Sequence, residues 1–313
     1  MHIHDMIVIG GGPAGYTAAL YAARAGLSVL VLERMSIGGQ MTLTDMIDNY
    51  PGFAEGIDGI TLGMQMQAGA ERFGAVTAYA EVLSLSLLES PKRISTTEGE
   101  HLAHTVVIAT GAEPRRLGLR GEDALIGQGV HYCAHCDGRF YKGKDVLVVG
   151  GGNSAASDAL YLAHLARQVT VVHRRDTLRA TRVYHTPLMR AENVRFLWNS
   201  TIDGFLTDGG FRGVRVRDLP SGDVHDLACD GLFVSIGRVP SVHPLTEELT
   251  LDAQGYVVAD ETTKTNIPGV FAVGDVRTKV LRQVVTAVGD GAVAAHFAEE
   301  YLAENGCMMQ TYD

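Results

Sequence analysis

The amino-acid sequence predicts an α/β protein in which one domain is inserted within another. Two segments repeat one pattern: a short apolar strand, a glycine-rich turn, a helical stretch and a second strand. The first segment covers residues 6–32, and the second covers residues 145–172. A strand–turn–helix–strand unit of this kind opens a three-layer ββα, Rossmann-like dinucleotide-binding domain, so the sequence predicts two of them.

The end of the chain indicates how the domains are divided. Residues 269–275 form another apolar strand with a glycine turn, and a helical stretch near residues 286–302 follows. We interpret this tail as a return to the first domain. The predicted domains are residues 1–113 with 244–313 and, inserted between them, residues 114–243.

The first glycine turn has the features of a nucleotide site. Gly10 allows a tight turn, Gly12 lets the backbone approach a pyrophosphate, and Gly15 lets the helix pack on the strand. The start of the helix offers free N–H groups to the phosphates. Glu33 ends the second strand at about the 20-residue offset of a ribose-binding acid. A phosphate-free joint with a surface Glu33 is the alternative, and strand, helix and acid together favour the nucleotide.

The second glycine turn differs in the residues that meet the ribose. Ala155 stands where the first turn has Gly15, and no acidic residue ends the second strand of this unit. Basic residues follow instead: His173, Arg174, Arg175 and Arg179. Guanidinium groups bind a 2′-phosphate, which an acid would repel. A solvated basic turn is the alternative, but the position after the second strand favours NADPH over NADH.

Cys133 and Cys136 form a CxxC pair. Such a pair is typical of a redox dithiol or of half a zinc site. His131 and His135 flank it as possible zinc ligands, but ligands this close in sequence can hardly surround a tetrahedral ion. Two buried structural thiols are another alternative. The spacing beside an acid favours redox function.

Asp137 follows the second cysteine directly. Reduction of a disulfide leaves a thiolate that must be protonated, and an adjacent carboxyl group can supply that proton. An N-cap or turn aspartate stays open as the alternative.

Composition excludes several classes of partner. The formal net charge is −10, from 36 acidic and 26 basic residues, which disfavours nucleic acid and anionic membrane surfaces. No apolar run approaches the length of a membrane span. The chain has only four cysteines, and its start lacks the basic flank of a signal peptide, so we expect a cytoplasmic protein and no metal site.

The motifs taken together resemble those of the low-molecular-weight thioredoxin reductases over essentially the whole chain. In order they are residues 10–15, 38–40, 49–52, 133–138, 150–155, 173–179, 274–275 and 282–283. The resemblance implies a homodimer that holds FAD in the first domain and NADPH in the inserted one, with a thioredoxin or thioredoxin-like protein as partner.

The same resemblance implies which residues bind each cofactor. The residues expected to contact FAD are Gly10, Gly12, Pro13, Ala14, Gly15, Glu33, Gly39, Gln40, Asn49, Thr110, Gly111, Gly274, Asp275, Arg282 and Gln283. Those expected to contact NADPH are Gly150, Gly152, Asn153, Ser154, Ala155, His173, Arg174, Arg175 and Arg179.

The resemblance also implies roles around the CxxC pair. Cys136 faces the flavin, Cys133 attacks the thioredoxin disulfide, and Asp137 is the acid and base. His135 departs from the threonine that is common there, and a cationic imidazole would stabilise a neighbouring thiolate. A solvent-facing His135 is the alternative. A flavin-dependent dithiol oxidase, or a reductase of another small disulfide protein, is the alternative function.

Overall fold

The computed structural model describes residues 2–35, 37–43, 46–242 and 248–307. The chain divides into two compact units, Met1–Glu113 with Val239–Asp313, and Pro114–Arg238. The first division between the units falls between Glu113 and Pro114. The second division falls between Arg238 and Val239. The sequence predicts this boundary between residues 243 and 244, which lie outside the described residues. This second division lies within a short strand that begins at Arg238.

Strands make up much of both units. In chain order they are β1 (Ile3–Ile9), β2 (Val29–Glu33), β3 (Val76–Tyr79), β4 (Val82–Ser86), β5 (Lys92–Thr96), β6 (Gly99–Ile108), β7 (Ala112–Pro114), β8 (Val130–His131), β9 (Asp145–Val149), β10 (Gln168–Val172), β11 (Val194–Leu197), β12 (Ser200–Thr207), β13 (Phe211–Asp218), β14 (Val224–Ala228), β15 (Gly231–Val234), β16 (Arg238–Pro240) and β17 (Val270–Ala272).

The helices connect and cover these strands. The α-helices are α1 (Pro13–Arg24), α2 (Gly59–Glu71), α3 (Glu122–Leu125), α4 (Ala134–Asp137), α5 (Asn153–Ala163), α6 (Arg182–Arg190) and α7 (Val284–Glu304). Short 3-10 helices cover Gly39–Leu43, Gly138–Tyr141 and Gly274–Val276.

The first unit is built on a mostly parallel sheet. Its strand order is β3-β2-β1-β6-β5-β4, and β17 also pairs with β6. The pairs among β1, β2, β3, β6 and β17 are parallel, whereas β4 and β5 pair antiparallel. The long strand β6 pairs with β5 through its first half and with β17 through its second half. Parallel strands bring their carboxyl ends to one edge, where a nucleotide site is expected.

Small residues let two helices of this unit approach closely. Helix α1 begins at Pro13, whose fixed φ suits the first helical position. Its alanines pack against α7, and a Cβ at Gly291 would overlap the carbonyl oxygen of Ala14. The two helices therefore form one layer on the sheet.

The second unit has three layers. Its central sheet is entirely parallel, in the order β11-β10-β9-β15-β8. Helices α5 and α6 contribute to the core on one face, and the antiparallel strands β12, β13 and β14 form a second sheet, with β12 and β13 packed in the core of the other face. This arrangement confirms the predicted three-layer α/β fold.

Candidate functional site

The first glycine turn is tightly packed on one side and open on the other. Gly10 has φ of +108°, and a Cβ there would lie 2.5 Å from the carbonyl oxygen of Ala109. A Cβ on Gly15 would overlap the carbonyl oxygen of Gly10. A Cβ on Gly12 would meet no atom within 4 Å. Gly10 and Gly15 are therefore needed for packing, whereas Gly12 leaves room for a ligand.

This contrast gives a prediction for two matched variants. Gly15→Ala should destabilise the protein by about 3 kcal/mol and prevent flavin binding, because the clash is with backbone that cannot move aside. Gly12→Ala should leave the unfolding midpoint unchanged and weaken flavin binding only. Urea unfolding of the flavin-free protein and flavin titration measure the two effects. Equal unfolding midpoints for both variants would contradict this account of the turn.

Glu33 and Thr110 border the same turn. Glu33 Oε2 accepts a hydrogen bond of 2.7 Å from the Gly11 amide, and Oε1 accepts one of 3.0 Å from the Met35 amide. The hydroxyl oxygen of Thr110 is buried and has no hydrogen-bond partner among the described residues. A buried hydroxyl without a partner is costly. The turn therefore presents both space and an unsatisfied polar atom, which fits a bound nucleotide.

Distant parts of the chain meet around this turn. The Gly38 amide donates to the Gly11 carbonyl over 2.8 Å, which places the Gly39–Leu43 helix, with Gly39 and Gln40, beside it. Asn49 Nδ2 donates to Gln283 Oε1 over 3.0 Å at the start of α7. The structure thus places Gly39 and Gln40 beside the turn and Asn49 beside Gln283, all residues that are expected at FAD.

Arg282 shapes the loop before α7. Its guanidinium donates to the backbone carbonyls of Asp275, Arg277 and Lys279 over 3.2–3.3 Å. It also lies 3.9 Å from the centroid of the Tyr256 ring. These contacts hold the loop between Asp275 and the start of α7.

The second glycine turn has the same division of roles. Gly150 has φ of +148°, and a Cβ there would overlap the carbonyl oxygen of Ser235. Gly152 precedes α5, and a Cβ there would meet no atom within 4 Å. Ala155 is fully buried in the helix, and Asn153 Oδ1 accepts a hydrogen bond of 2.8 Å from the Thr181 amide. Ser154 is exposed beside them.

The basic cluster is held against this turn. The Arg179 amide donates to the Gly151 carbonyl over 2.7 Å. The side chains of Arg174, Arg175 and Arg179 are exposed, and none forms an ion pair within the part of the chain that the structure describes. They are therefore available to an anionic ligand.

His173 differs from the arginines that follow it. Its ring is buried and occupies the space where a Cβ of Gly151 would lie. Burial, followed by the positive charge of Arg179, lowers its pKa. His173 Nε2 is buried with no hydrogen-bond partner among the described residues. The ring therefore packs the turn in its neutral form.

Cys133 and Cys136 form a disulfide bond, with their Cα atoms 5.3 Å apart. Cys136 lies in the short helix α4, which ends before Gly138. A Cβ on Gly138 would lie 2.9 Å from side-chain atoms of Tyr161 and Leu162 in α5, so α4 packs closely on α5. Asp137 makes no side-chain cap hydrogen bond to the helix that follows. Its Oδ2 lies 3.1 Å from Nδ1 of His131 instead.

His135 contacts α5. Its Nδ1 lies 3.5 Å from Asp158 Oδ1, and its ring stacks on Tyr161 with 4.4 Å between centroids. Asp158 also accepts a hydrogen bond of 2.5 Å from the Ser235 hydroxyl. His131 and His135, the two possible zinc ligands, thus contact different carboxylates. Within the described ranges no three His, Cys, Asp or Glu side chains are placed to hold a metal ion.

Comparison with known proteins identifies the group to which the chain belongs. Residues 4–291 match the family described as pyridine nucleotide-disulphide oxidoreductase. The thioredoxin reductase of Listeria monocytogenes is 44% identical over 303 residues, covering 96% of this chain and 95% of that protein. The chain belongs to the thioredoxin reductases of this family. The resemblance noted from the motifs is thereby confirmed.

Further relatives agree with this membership. The thioredoxin reductase of Bacillus subtilis is 43% identical over 303 residues, or 96% of each chain. The crystal structure of thioredoxin reductase from Streptococcus pyogenes MGAS5005 matches with a TM-score of 0.88 and 42% identity, covering 96% of this chain and 99% of that chain. Membership implies a flavin and a nicotinamide nucleotide. Among the described residues, no helix has the length and apolar character of a membrane span.

One group of charged side chains had no distinguishing sequence motif. Asp290 of α7 is buried and accepts hydrogen bonds from the Gly274 amide, Arg277 and Lys279, at 2.7–3.0 Å. Burial alone would raise the pKa of Asp290, but the hydrogen bonds from Arg277 and Lys279 outweigh it and lower the pKa. The network anchors the Gly274–Asp275 segment to α7. The only sequence signal was an acid between two glycines in an apolar helix.

Asp290→Asn should destabilise the first unit by about 3 kcal/mol at pH 7, because two buried cations lose their counter-charge. The native pKa of Asp290 is lowered, so its stabilising effect is present above the unfolded-state pKa of about 3.9 and is lost as pH falls through the native pKa. The difference between variant and parent should therefore shrink below about pH 4. Urea unfolding at several pH values measures it, with the exposed Asp226→Asn as control. A constant difference down to pH 3 would contradict this role.

Proposed function

We propose that the chain transfers electrons from NADPH, through FAD, to the Cys133–Cys136 disulfide and from the resulting dithiol to the disulfide of a thioredoxin. The observation that carries this proposal is that the Cys133–Cys136 disulfide and Asp137 lie in the same unit as a glycine turn followed by three exposed arginines, none of which has an ion-pair partner among the described residues. The first unit contributes the first glycine turn, where the buried Thr110 hydroxyl has no hydrogen-bond partner among the described residues, which fits FAD.

The nucleotide specificity of the proposal follows from charge. Arg179 is held at Gly151 through its amide, and Arg174 and Arg175 directly follow His173, whose ring packs on Gly151. These guanidinium groups supply the positive charge that a ribose 2′-phosphate would need. The first unit has Glu33 at the equivalent position, whose carboxylate is held by the Gly11 amide. An acid there suits a ribose without a 2′-phosphate, as in FAD. The two turns are thus proposed to select different nucleotides.

The chemistry of the cysteines is proposed as follows. When bound, FAD supplies two-electron transfer between the nicotinamide and the disulfide. Two electrons break the Cys133–Cys136 bond, and Asp137 gives a proton to one of the two thiolates. The Cys133 thiolate then attacks the disulfide of thioredoxin and forms a mixed disulfide. Cys136 then returns its proton to Asp137 and attacks Cys133, which restores the Cys133–Cys136 disulfide and releases thioredoxin, whose two thiolates take up protons from water.

A homodimer and a cytoplasmic location are part of the same proposal. The homodimer is taken from the family that the motifs resemble, and the location from the small number of cysteines. Such a location also provides the NADPH that the reaction consumes. Light scattering of the purified flavin-loaded protein tests the first. We expect a mass of twice 33.5 kDa for the dimer. A stable species of 33.5 kDa that still reduces thioredoxin would contradict it.

Cofactor release and steady-state assays test the function itself. The flavin released by heating should be FAD, and the protein should reduce thioredoxin with NADPH much faster than with NADH. A dithiol oxidase would instead consume oxygen when given a dithiol, without any nicotinamide nucleotide. Oxygen uptake of that kind, with no NADPH-dependent reduction of thioredoxin, would overturn the proposal.

A further inference from the structure

Tyr141, His131 and Asp137 form a hydrogen-bonded row in the second unit. The Tyr141 hydroxyl lies 2.6 Å from His131 Nε2, and His131 Nδ1 lies 3.1 Å from Asp137 Oδ2. The imidazole is buried, and its ring stacks on Phe233 with 5.2 Å between centroids. Asp137 follows Cys136 directly in the sequence. The row therefore ends at the residue that follows Cys136 and whose amide donates to the Cys133 carbonyl over 3.1 Å.

The hydrogen-bonding needs of these side chains select one tautomer of His131. Burial, followed by the negative charge of Asp137, raises the pKa of Tyr141 to about 12, so its hydroxyl keeps its proton and needs an acceptor. Among the described residues, His131 Nε2 is the acceptor within reach. An ionised carboxylate only accepts, so Nδ1 must donate to Asp137. Both ends of the row thus require neutral His131 to carry its proton on Nδ1.

We propose that His131 is a positioning residue for Asp137: its Nδ1–H holds Oδ2 as an acceptor, so that Oδ1 carries the proton exchanged with the dithiol. The inference rests on the proposed role of Asp137 as the acid in the reductase reaction. It assigns to His131 a function that neither the CxxC motif nor its spacing indicated.

The proton transfer leaves this hydrogen bond intact. In the protonated acid, the proton is on Oδ1 and Oδ2 accepts from Nδ1–H. Transfer of that proton to a thiolate sulfur gives a thiol and a carboxylate, and Oδ2 still accepts from the same donor. The negative charge therefore forms on a carboxylate that already has a fixed donor, which favours the transfer.

Other ionisable groups lie around the row. Lys144 Nζ lies 5.3 Å from the centroid of the Tyr141 ring, and Asp230 and Cys229 act on Tyr141 electrostatically. Burial raises the pKa of Cys229 to about 12, so its thiol is uncharged at neutral pH. Within the described part of the chain, none of these three groups makes a hydrogen bond to His131. None of them therefore competes with Tyr141 and Asp137 for the two ring nitrogens of His131.

Nitrogen-15 NMR of histidine-labelled protein tests the tautomer, whether or not the chain reduces thioredoxin. The His131 signal, assigned by its loss in His131→Asn, should show a protonated Nδ1 and a bare Nε2 at neutral pH. Tyr141→Phe should keep Nδ1 protonated, because Asp137 still accepts from it, and should shift only the Nε2 resonance, since Nε2 loses its donor. Tyr132→Phe is the matched control, since it removes a tyrosine hydroxyl bound to Glu122 instead. An Nε2–H tautomer in the unmodified protein would overturn the proposal.

Two substitutions of His131 separate positioning from folding effects. His131→Asn keeps an N–H donor near the place of Nδ1, and His131→Leu removes it. We expect kcat for thioredoxin reduction to fall about tenfold in His131→Leu and to stay within about threefold of the parent in His131→Asn. The pH profile of kcat should shift only in His131→Leu. Both variants should reduce ferricyanide with NADPH at the parent rate, because that reaction needs no dithiol.

The outcomes distinguish this proposal from the proposed function. Equal loss of thioredoxin reduction in His131→Asn and His131→Leu, or a parallel loss of ferricyanide reduction, would make His131 purely structural and refute the inference. Ferricyanide reduction without any thioredoxin reduction by the parent protein would refute the proposed function. The NMR spectrum would then still decide the tautomer.

Discussion

Cys136→Ser is expected to lower the rate of thioredoxin reduction by about a thousandfold or more, while NADPH still reduces the flavin. Hydride transfer from the nicotinamide needs no thiol. Breaking the disulfide of a partner needs two sulfurs, one to attack and one to resolve the mixed disulfide. Cys133→Ser should be equally inactive. Stopped-flow absorbance of the flavin and a steady-state thioredoxin assay measure the two halves separately.

Cys307→Ser is the matched control for these variants. Cys307 is a free, partly exposed thiol outside the CxxC pair, and it should be replaceable without loss of either half-reaction. Cys229 is the other free thiol, and burial raises its pKa to about 12, which makes it a poor nucleophile. Thioredoxin reduction that persists in Cys136→Ser would show that the disulfide seen in the structure is not the redox centre.

Arg174→Ala combined with Arg175→Ala is expected to raise KM for NADPH about a hundredfold, with little change for NADH. Each guanidinium can donate charge-assisted hydrogen bonds to a 2′-phosphate, and losing two such contacts costs about 3 kcal/mol, which corresponds to roughly a hundredfold in affinity. NADH lacks this phosphate and loses nothing. The measurement is KM for each nucleotide with thioredoxin as acceptor.

A control with the same change in charge excludes a general electrostatic effect. Arg215 and Arg217 lie on β13 in the same unit and pair with Asp226 and Asp203 at the surface. Replacing both by alanine should leave the two KM values unchanged, since exposed ion pairs of this kind contribute about 0–1 kcal/mol. Equal effects of the two double variants on KM for NADPH would refute the assignment of the basic cluster.

The fold was predictable because its signals are local. Each glycine turn lies between an apolar strand and a helical stretch, and its packing depends on close backbone contacts that only glycine allows, as at Gly10 and Gly150. The basic cluster was predictable for a similar reason, since it follows β10 directly. Such features can be recognised from sequence spacing alone.

Long-range contacts were not predictable in the same way. Asn49 and Gln283 are 234 residues apart and meet only because the chain returns to the first unit. The partners of Asp290 depend on how the loop before α7 folds back on that helix. The sequence placed His131 only as a possible zinc ligand, because its contacts depend on the packing of β8 beside β15.

Anaerobic titration of the purified yellow protein tests the central claim most directly. One equivalent of NADPH should bleach the flavin absorbance or leave an equivalent of protein dithiol, and oxidised thioredoxin should then restore the oxidised spectrum. One equivalent of thioredoxin dithiol should appear for each NADPH consumed. Bleaching by NADPH that thioredoxin does not reverse, with Cys133 and Cys136 still disulfide-bonded, would contradict the proposed electron path.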